Sequence, residues 1–223
     1  MHRLINSISL HFKKVSSFSV KDKPLPFPQV AMPVHVFKML GVETLFVTNA
    51  AGGLNSSYTI GDIMIVKDHI SMPGLTTDNP LTGFTNERFG EQLPALPELY
   101  DSGLRELAWS VVGELGLQKM VREGTLVQVG GPSFDTVSVF NMLRRLGADC
   151  VGMSSAPEVT VARHCGIRVF GLSLVTDMAP MESDLPPTNH QEILQTAEVR
   201  ARDVQKLVCE MIKRLPNNNT SST

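Results

Sequence analysis

Apolar residues change their spacing several times between residues 30 and 215, and each change predicts a new element. Val30, Val34, Phe37 and Leu40 recur every three or four residues, which predicts a helix over Val30–Leu40 with Gly41 as its stop. Apolar runs predict strands at Thr44–Thr48 and Ile63–Lys67. Helical spacing returns in Glu98–Leu115, where Leu104, Leu107, Ala108, Val111 and Leu115 share one side. Next come a strand at Thr125–Val129, a helix at Thr136–Leu146 closed by Gly147, a strand at Cys150–Met153 and a helix at Pro157–Cys165 closed by Gly166. Ile167–Thr176 has the pattern of a strand buried on both faces. The proline-rich stretch Ala179–Pro187 predicts a loop. A last helix, Asn189–Leu215, repeats Ile193, Ala197, Ala201, Val204, Val208, Met211 and Leu215 until Pro216 ends it.

Strands alternating with helices imply an α/β domain of three layers, whose ligands gather at the carboxyl ends of strands. The run Val47-Thr48-Asn49-Ala50-Ala51-Gly52-Gly53-Leu54-Asn55 has the composition for that task. Small residues let a ligand approach the main chain and expose N–H groups to a small anion. By itself the run also fits a tight turn after a core strand. Its neighbours add weight, because Ala50–Gly53, Ser133–Asp135, Met153–Ser154 and Thr176–Asp177 all fall at or just after predicted strand ends, on one face.

Composition narrows the function classes. With 223 residues, 42% hydrophobic and 19% charged, the chain can bury one substantial core. No run reaches the roughly 18 apolar residues of a membrane-spanning helix, so no membrane partner is expected. A net charge of −2 from interspersed residues gives no basic stripe for nucleic acid. Cys150, Cys165 and Cys209 read as reduced core thiols, and no C-x-x-C spacing suggests a metal. Met1–Lys21 carries Arg3, Lys13, Lys14 and Lys21 with no acidic residue, the composition of a mitochondrial transit segment or of an unrelated tail. The organisation expected is a tail over residues 1–23, a domain over 24–216 and a disordered end over 217–223, in a cytoplasmic protein or, alternatively, a mitochondrial one.

The segments Gly131-Pro132-Ser133-Phe134, Val151-Gly152-Met153-Ser154, Ala156-Pro157-Glu158-Val159 and Asn189-His190 follow the small-residue run in a characteristic order. Together with Asn86-Glu87-Arg88-Phe89-Gly90 and Arg163-His164-Cys165-Gly166-Ile167-Arg168-Val169-Phe170, they make the chain resemble the trimeric purine nucleoside phosphorylases of the inosine-guanosine type, with the methylthioadenosine phosphorylases nearby. The resemblance runs from about Pro26 to Leu215. It implies the nucleoside phosphorylase fold with a central mixed sheet, and reversible phosphorolysis of purine ribonucleosides in purine salvage. Phosphate is then a co-substrate, no cofactor is needed, and a homotrimer is the expected assembly.

Carried over by position, the resemblance assigns phosphate to the Ala50 N–H and the Ser154 hydroxyl. It places Met153 beside the ribose, His190 at the sugar's 5′-hydroxyl, and Phe134 and Val151 against the base. Asp135 and Asp177 take the base-contacting, catalytic positions, and Leu93 the place where a neighbouring subunit offers an aromatic ring. Three of these depart from the family pattern. Asp135 replaces Glu and is one methylene shorter; Asp177 replaces Asn and, ionised, can only accept, which suits a 6-amino rather than a 6-oxo purine. Leu93 excludes water but presents no ring face to the sugar. The Gly-Ser-Gly loop and the Arg-x-His-x-Tyr segment of the family do not occur in the sequence. The fold expected is therefore one without its N-terminal strands, with an apolar edge left open. A catalytically impaired homologue, binding nucleosides or joining trimers of a full-length enzyme, is the alternative reading.

Overall fold

The structure, a computed structural model, describes residues 30–76, 78–82, 88–91, 98–131, 133–181 and 190–216, with the backbone alone for 190–192. In chain order the elements are α1 (Met32–Met39), β1 (Thr44–Gly53), β2 (Ile63–Ser71), α2 (Met72–Thr76), α3 (Ser102–Leu115), β3 (Val121–Gln128), α4 (Val137–Arg145), β4 (Cys150–Gly152), α5 (Ala156–His164), β5 (Arg168–Met178) and α6 (His190–Lys213). Every predicted helix and strand is present, and α2 is an addition that no apolar period announced; the expected tails over 1–23 and 217–223 and most of the loop Ala179–Pro187 lie outside the described residues.

The boundaries move for local reasons. Helix α3 begins at Ser102 rather than Glu98, because the Asp101 carboxylate accepts a hydrogen bond from the Leu104 N–H at 2.9 Å and caps the helix there. It ends at Gly116, whose φ of 70° is the left-handed conformation that glycine adopts at least cost. Strands β2, β3 and β5 extend beyond their apolar centres through ladder pairing. The largest correction is in β1. Ala50–Gly53, expected to follow the strand, lie inside it, since β5 pairs in parallel with β1 all the way from Thr44↔Arg168 to Gly53↔Met178. A register shift falls between Ala51 and Gly52.

The sheet is mixed and closes into a ring in the order β1-β4-β3-β2-β5. Pairs β2–β3 and β3–β4 are parallel, whereas β1–β4 and β2–β5 are antiparallel. In place of the single open edge expected, several stretches of the described residues pair on one side only, among them Val121–Thr125 of β3, which pairs with β2 alone. Among the described residues β4 reaches β1 only at Gly52 and Gly53, so Thr44–Ala51 is paired with β5 alone.

Helices cover the sheet in separate apolar clusters. Leu104, Ala108, Val111 and Val112 of α3 and Leu207 and Met211 of α6 bury Ile63, Ile65, Phe170 and Leu172. Val34 of α1 and Val159, Val161 and Ala162 of α5 pack with Leu45, Val66 and Val169. Phe140 and Leu143 of α4 close a third cluster with Leu54, Val127 and Val129. Strand β5 is buried along most of its length, as its apolar run predicts.

A polar knot fixes where β1 leaves the sheet. The Asp149 carboxylate accepts from Asn55 Nδ2 and from the Thr125 N–H, each at 2.8 Å, while its carbonyl accepts from the N–H groups of Leu54 and Asn55. Gly124 lies beneath this knot, where a Cβ would stand 2.6 Å from Asp149 Oδ2 and 2.7 Å from both Met64 Sδ and Tyr58 Oη. Gly124→Ala is therefore expected to lower unfolding free energy by about 1–3 kcal/mol. Urea denaturation reads this directly, and an unchanged midpoint would show that the knot yields freely.

Candidate active site

The small residues of β1 place three strands around one point. At Gly52, a Cβ would meet Asp177 Oδ2 of β5 at 3.3 Å and Val151 Cγ1 of β4 at 3.4 Å. The backbone registers agree, for Gly52 pairs with both Val151 and Asp177. A glycine here lets the strand end approach a carboxylate and an apolar side chain at once, leaving its own position bare. Thr176 Oγ1 donates to Asp177 Oδ1 at 3.0 Å and steadies that carboxylate.

The turn from β4 into α5 lies beside this point. Met153, Ser154 and Ser155 form it, and Asn49 of β1 reaches across to donate from Nδ2 to Ser155 Oγ at 3.0 Å. Ser155 has a φ of 88°, alone among the described non-glycine residues in being positive. Such strain costs on the order of 1–3 kcal/mol and survives only where surroundings impose it. Here Pro157 starts the helix, Asn49 holds the hydroxyl, and Gln128 Oε1 accepts from the Ala156 N–H at 2.8 Å. The result is a helix N-terminus next to the end of β1, a place suited to an anion.

Several polar groups around this turn are buried and incompletely bonded. Asn49 Oδ1, Gln128 Nε2 and Glu158 Oε2 have no hydrogen-bond partner among the described residues. Burial pushes the Glu158 carboxyl up to about 6, although the N–H groups of Ser155 and Glu158 itself pull the other way. Orphaned polar atoms gathered in one place call for a partner that the described residues do not supply.

The sequence-predicted residues divide accordingly. Ala50, Val151, Met153, Ser154 and Asp177 are brought to this strand-end cluster by β1, β4, the β4–α5 turn and β5. Met153 is held close to Gly131, where a Cβ would stand 2.6 Å from its Sδ. Phe134 is 54% exposed on the segment before α4, and Asp135 next to it is half-buried, with burial raising its carboxyl above the usual range. His190 opens α6 by its backbone, and Leu93 lies outside the described residues. Asn49, Gln128, Ser155 and Glu158 were missed as site residues. A signal for two of them was present: Ser155-Ala156-Pro157-Glu158 has the S-x-x-E spacing of a capping box. The structure uses it otherwise, for Ser155 makes no side-chain cap and bonds Asn49 instead.

The expected three layers are replaced by helices packed around a mixed sheet that closes on itself, and this fold sets a helix N-terminus suited to an anion beside a bare strand end. A family model described as the phosphorylase superfamily matches residues 10–213, and the chain belongs to that superfamily. It is similar to the purine nucleoside phosphorylase of Bos taurus, 48% identical over 192 residues that make up 86% of this chain and 66% of the bovine one. The chain thus spans 66% of the length of that relative. The crystal structure of Schistosoma mansoni purine nucleoside phosphorylase in complex with adenosine matches with a TM-score of 0.84 and 46% identity, covering 87% of this chain and 70% of that one. The same protein's complex with inosine also matches at a TM-score of 0.84 and 46% identity, with 87% and 69% covered.

The raised Glu158 carboxyl has a consequence for stability. Its folded value, about 6, exceeds its ordinary 4.5, so the folded state holds the proton more tightly. The contribution is complete below pH 4.5 and is lost as pH rises through 6, a fall of about 2 kcal/mol. Urea melts of the chain and of Glu158→Gln from pH 4 to 7 should diverge by that amount in favour of the variant. A constant difference across the range would mean that Glu158 titrates normally.

Proposed function

We propose that the chain acts on purine ribonucleosides by reversible phosphorolysis, giving free purine and ribose 1-phosphate. The observation that carries this reading is the convergence at Gly52. One strand end there touches the positions suited to a base, Val151 and Asp177, and through Asn49 it also holds the turn suited to phosphate. The Schistosoma mansoni structures with adenosine and inosine support it through their similarity to this chain.

In this reading phosphate rests on the main chain at Ala50 and on Ser154 at the start of α5, where the helix dipole favours negative charge. Met153 and His190 bound the ribose, and Phe134 and Val151 flank the base. A phosphate oxygen attacks the anomeric carbon as the bond to the purine nitrogen breaks, and the sugar passes through an oxocarbenium-like state. Holding both reactants in line supplies much of the rate, and groups aimed at the departing purine supply the rest. Asp135 and Asp177 are those groups. As a carboxylate, Asp177 accepts from a 6-amino group and repels a 6-oxo oxygen, so adenosine is favoured over inosine.

Assembly as a homotrimer, with Leu93 closing a neighbour's pocket, and a cytoplasmic role in purine salvage belong to the same proposal. The orphaned atoms of Asn49, Gln128 and Glu158 leave polar capacity for bound groups beside the turn.

The test is phosphate-dependent release of base from adenosine, inosine and guanosine by the purified chain, with arsenate as alternative nucleophile. Release that requires the anion is the expected result. A folded chain that binds nucleoside without any release would leave the non-catalytic reading in its place. Two variants sharpen the assignment. Asp177→Asn should move the adenosine-to-inosine ratio of kcat/KM about 10-fold or more toward inosine, the worth of one hydrogen bond gained or lost. Gly52→Ala should raise the KM for every nucleoside by about 10-fold, because its Cβ crowds Val151 and Asp177 together; an unchanged KM would remove Gly52 from the base site.

A further inference from the structure

A second cluster of reactive side chains lies in the α1–α5 layer, built from residues that the phosphorolysis reading does not use. His35 comes from α1, His164 is the last residue of α5, and Cys165 follows it. All three are buried, and a ligand atom of each lies within 4.8 Å of the others. No local spacing in the sequence brings them together; 129 positions separate His35 from His164. Only the packing of α1 on α5 does so.

The histidine chemistry is already oriented. His164 Nε2 lies 3.0 Å from the Glu91 carbonyl oxygen, which can only accept, so Nε2 carries the hydrogen and Nδ1 keeps its lone pair. That Nδ1 is buried, with no hydrogen-bond partner among the described residues, in a side chain belonging to a residue 9% exposed. A histidine that donates one N–H to a carbonyl and offers the other nitrogen is the arrangement that orients metal ligands. His35 is held edge-on to Phe89, with centroids 4.8 Å apart and planes at 74°. Burial and, secondarily, the neighbouring His164 lower its pKa. Burial pushes the Cys165 thiol up to about 11, with Lys38 opposing, so the thiol stays protonated until a cation displaces its hydrogen.

We propose that His35, His164 and Cys165 bind a transition cation of borderline softness, Zn²⁺ being the reference, and staple α1 to the corner between α5 and β5. Two imidazole nitrogens and one thiolate suit such an ion, whereas Mg²⁺ and Ca²⁺ require oxygen ligands that the trio lacks. Binding breaks the Sγ–H bond, forms a metal–sulfur bond and releases the proton to solvent. Zinc–ligand bonds of about 2.0–2.3 Å place ligand atoms about 3.5 Å from one another, so atoms now up to 4.8 Å apart must close by about 1.3 Å at most. Three protein ligands leave a fourth position for water.

The experiment uses the whole 223-residue chain, freed of metal by a chelator and titrated with Co²⁺ as an optical probe and Zn²⁺ by calorimetry. One equivalent should bind and produce a thiolate-to-cobalt charge-transfer band. Cys165→Ser and His164→Asn should abolish the band and weaken Zn²⁺ by more than the 10- to 100-fold that disturbing an outer-shell partner costs. Cys209→Ser, exposed and remote in sequence, should change neither. X-ray absorption on the unaltered Zn²⁺-loaded chain decides the matter without any variant: one sulfur and two imidazole nitrogens support the site. A shell without sulfur, no stoichiometric binding, or a band that survives Cys165→Ser overturns it.

Discussion

The site depends on a strand end that has almost no side chains. From Ala50 to Gly53 the β1 strand is small enough for β4 and β5 to close on it, and at Gly52 the space a methyl would need is already bounded by Asp177 and Val151. Gly53 is under the same pressure, because a Cβ there would stand 2.5 Å from Met178 Sδ. Glycine lowers strand stability through its backbone entropy, so two in succession inside a ladder need compensation. Full-length pairing with β5 and the Asp149 knot provide it. Within the run Ala50 is exposed, so a ligand can reach the main chain there, whereas Ala51–Gly53 are buried.

Around the neighbouring turn, the energetics run the other way. Ser155 is held at a positive φ, Glu158 is buried with one oxygen unbonded, and Asn49 and Gln128 each satisfy only part of their capacity. A fold optimised for stability alone would avoid all of these. Concentrated at one helix N-terminus beside a bare strand, they support the anion site proposed there. The edge Thr44–Ala51, paired on one side only among the described residues, leads directly into this place.

Most of the fold could be read from the sequence because apolar period and stop residues agree with the packing. The mostly apolar β5 run is buried along most of its length, and α3 ends at Leu115, where its apolar period stops. What could not be read was non-local. The β1 strand continues through Gly53 because β5 pairs with it, and glycine has no propensity that would reveal this. Strand propensity therefore put Ala50–Gly53 in a loop. The main phosphate and base candidates came from a family resemblance, and five of them meet at β1, β4 and β5. Asn49 and Gln128 escaped notice because their importance lies in bonds to Ser155 and Ala156, across the sheet. The same holds for His35 and His164, whose meeting is a product of helix packing alone.

The central claim is that the end of β1 at Gly52, with Val151 and Asp177, receives a purine. Amide NMR of the isotope-labelled chain titrated with adenosine tests it without requiring turnover. Saturable shifts centred on Gly52, Val151 and Asp177, with a further set at Ser154 and Ser155 on adding phosphate, are the predicted result. Shifts elsewhere, or none at nucleoside concentrations that saturate the bovine relative, would contradict it.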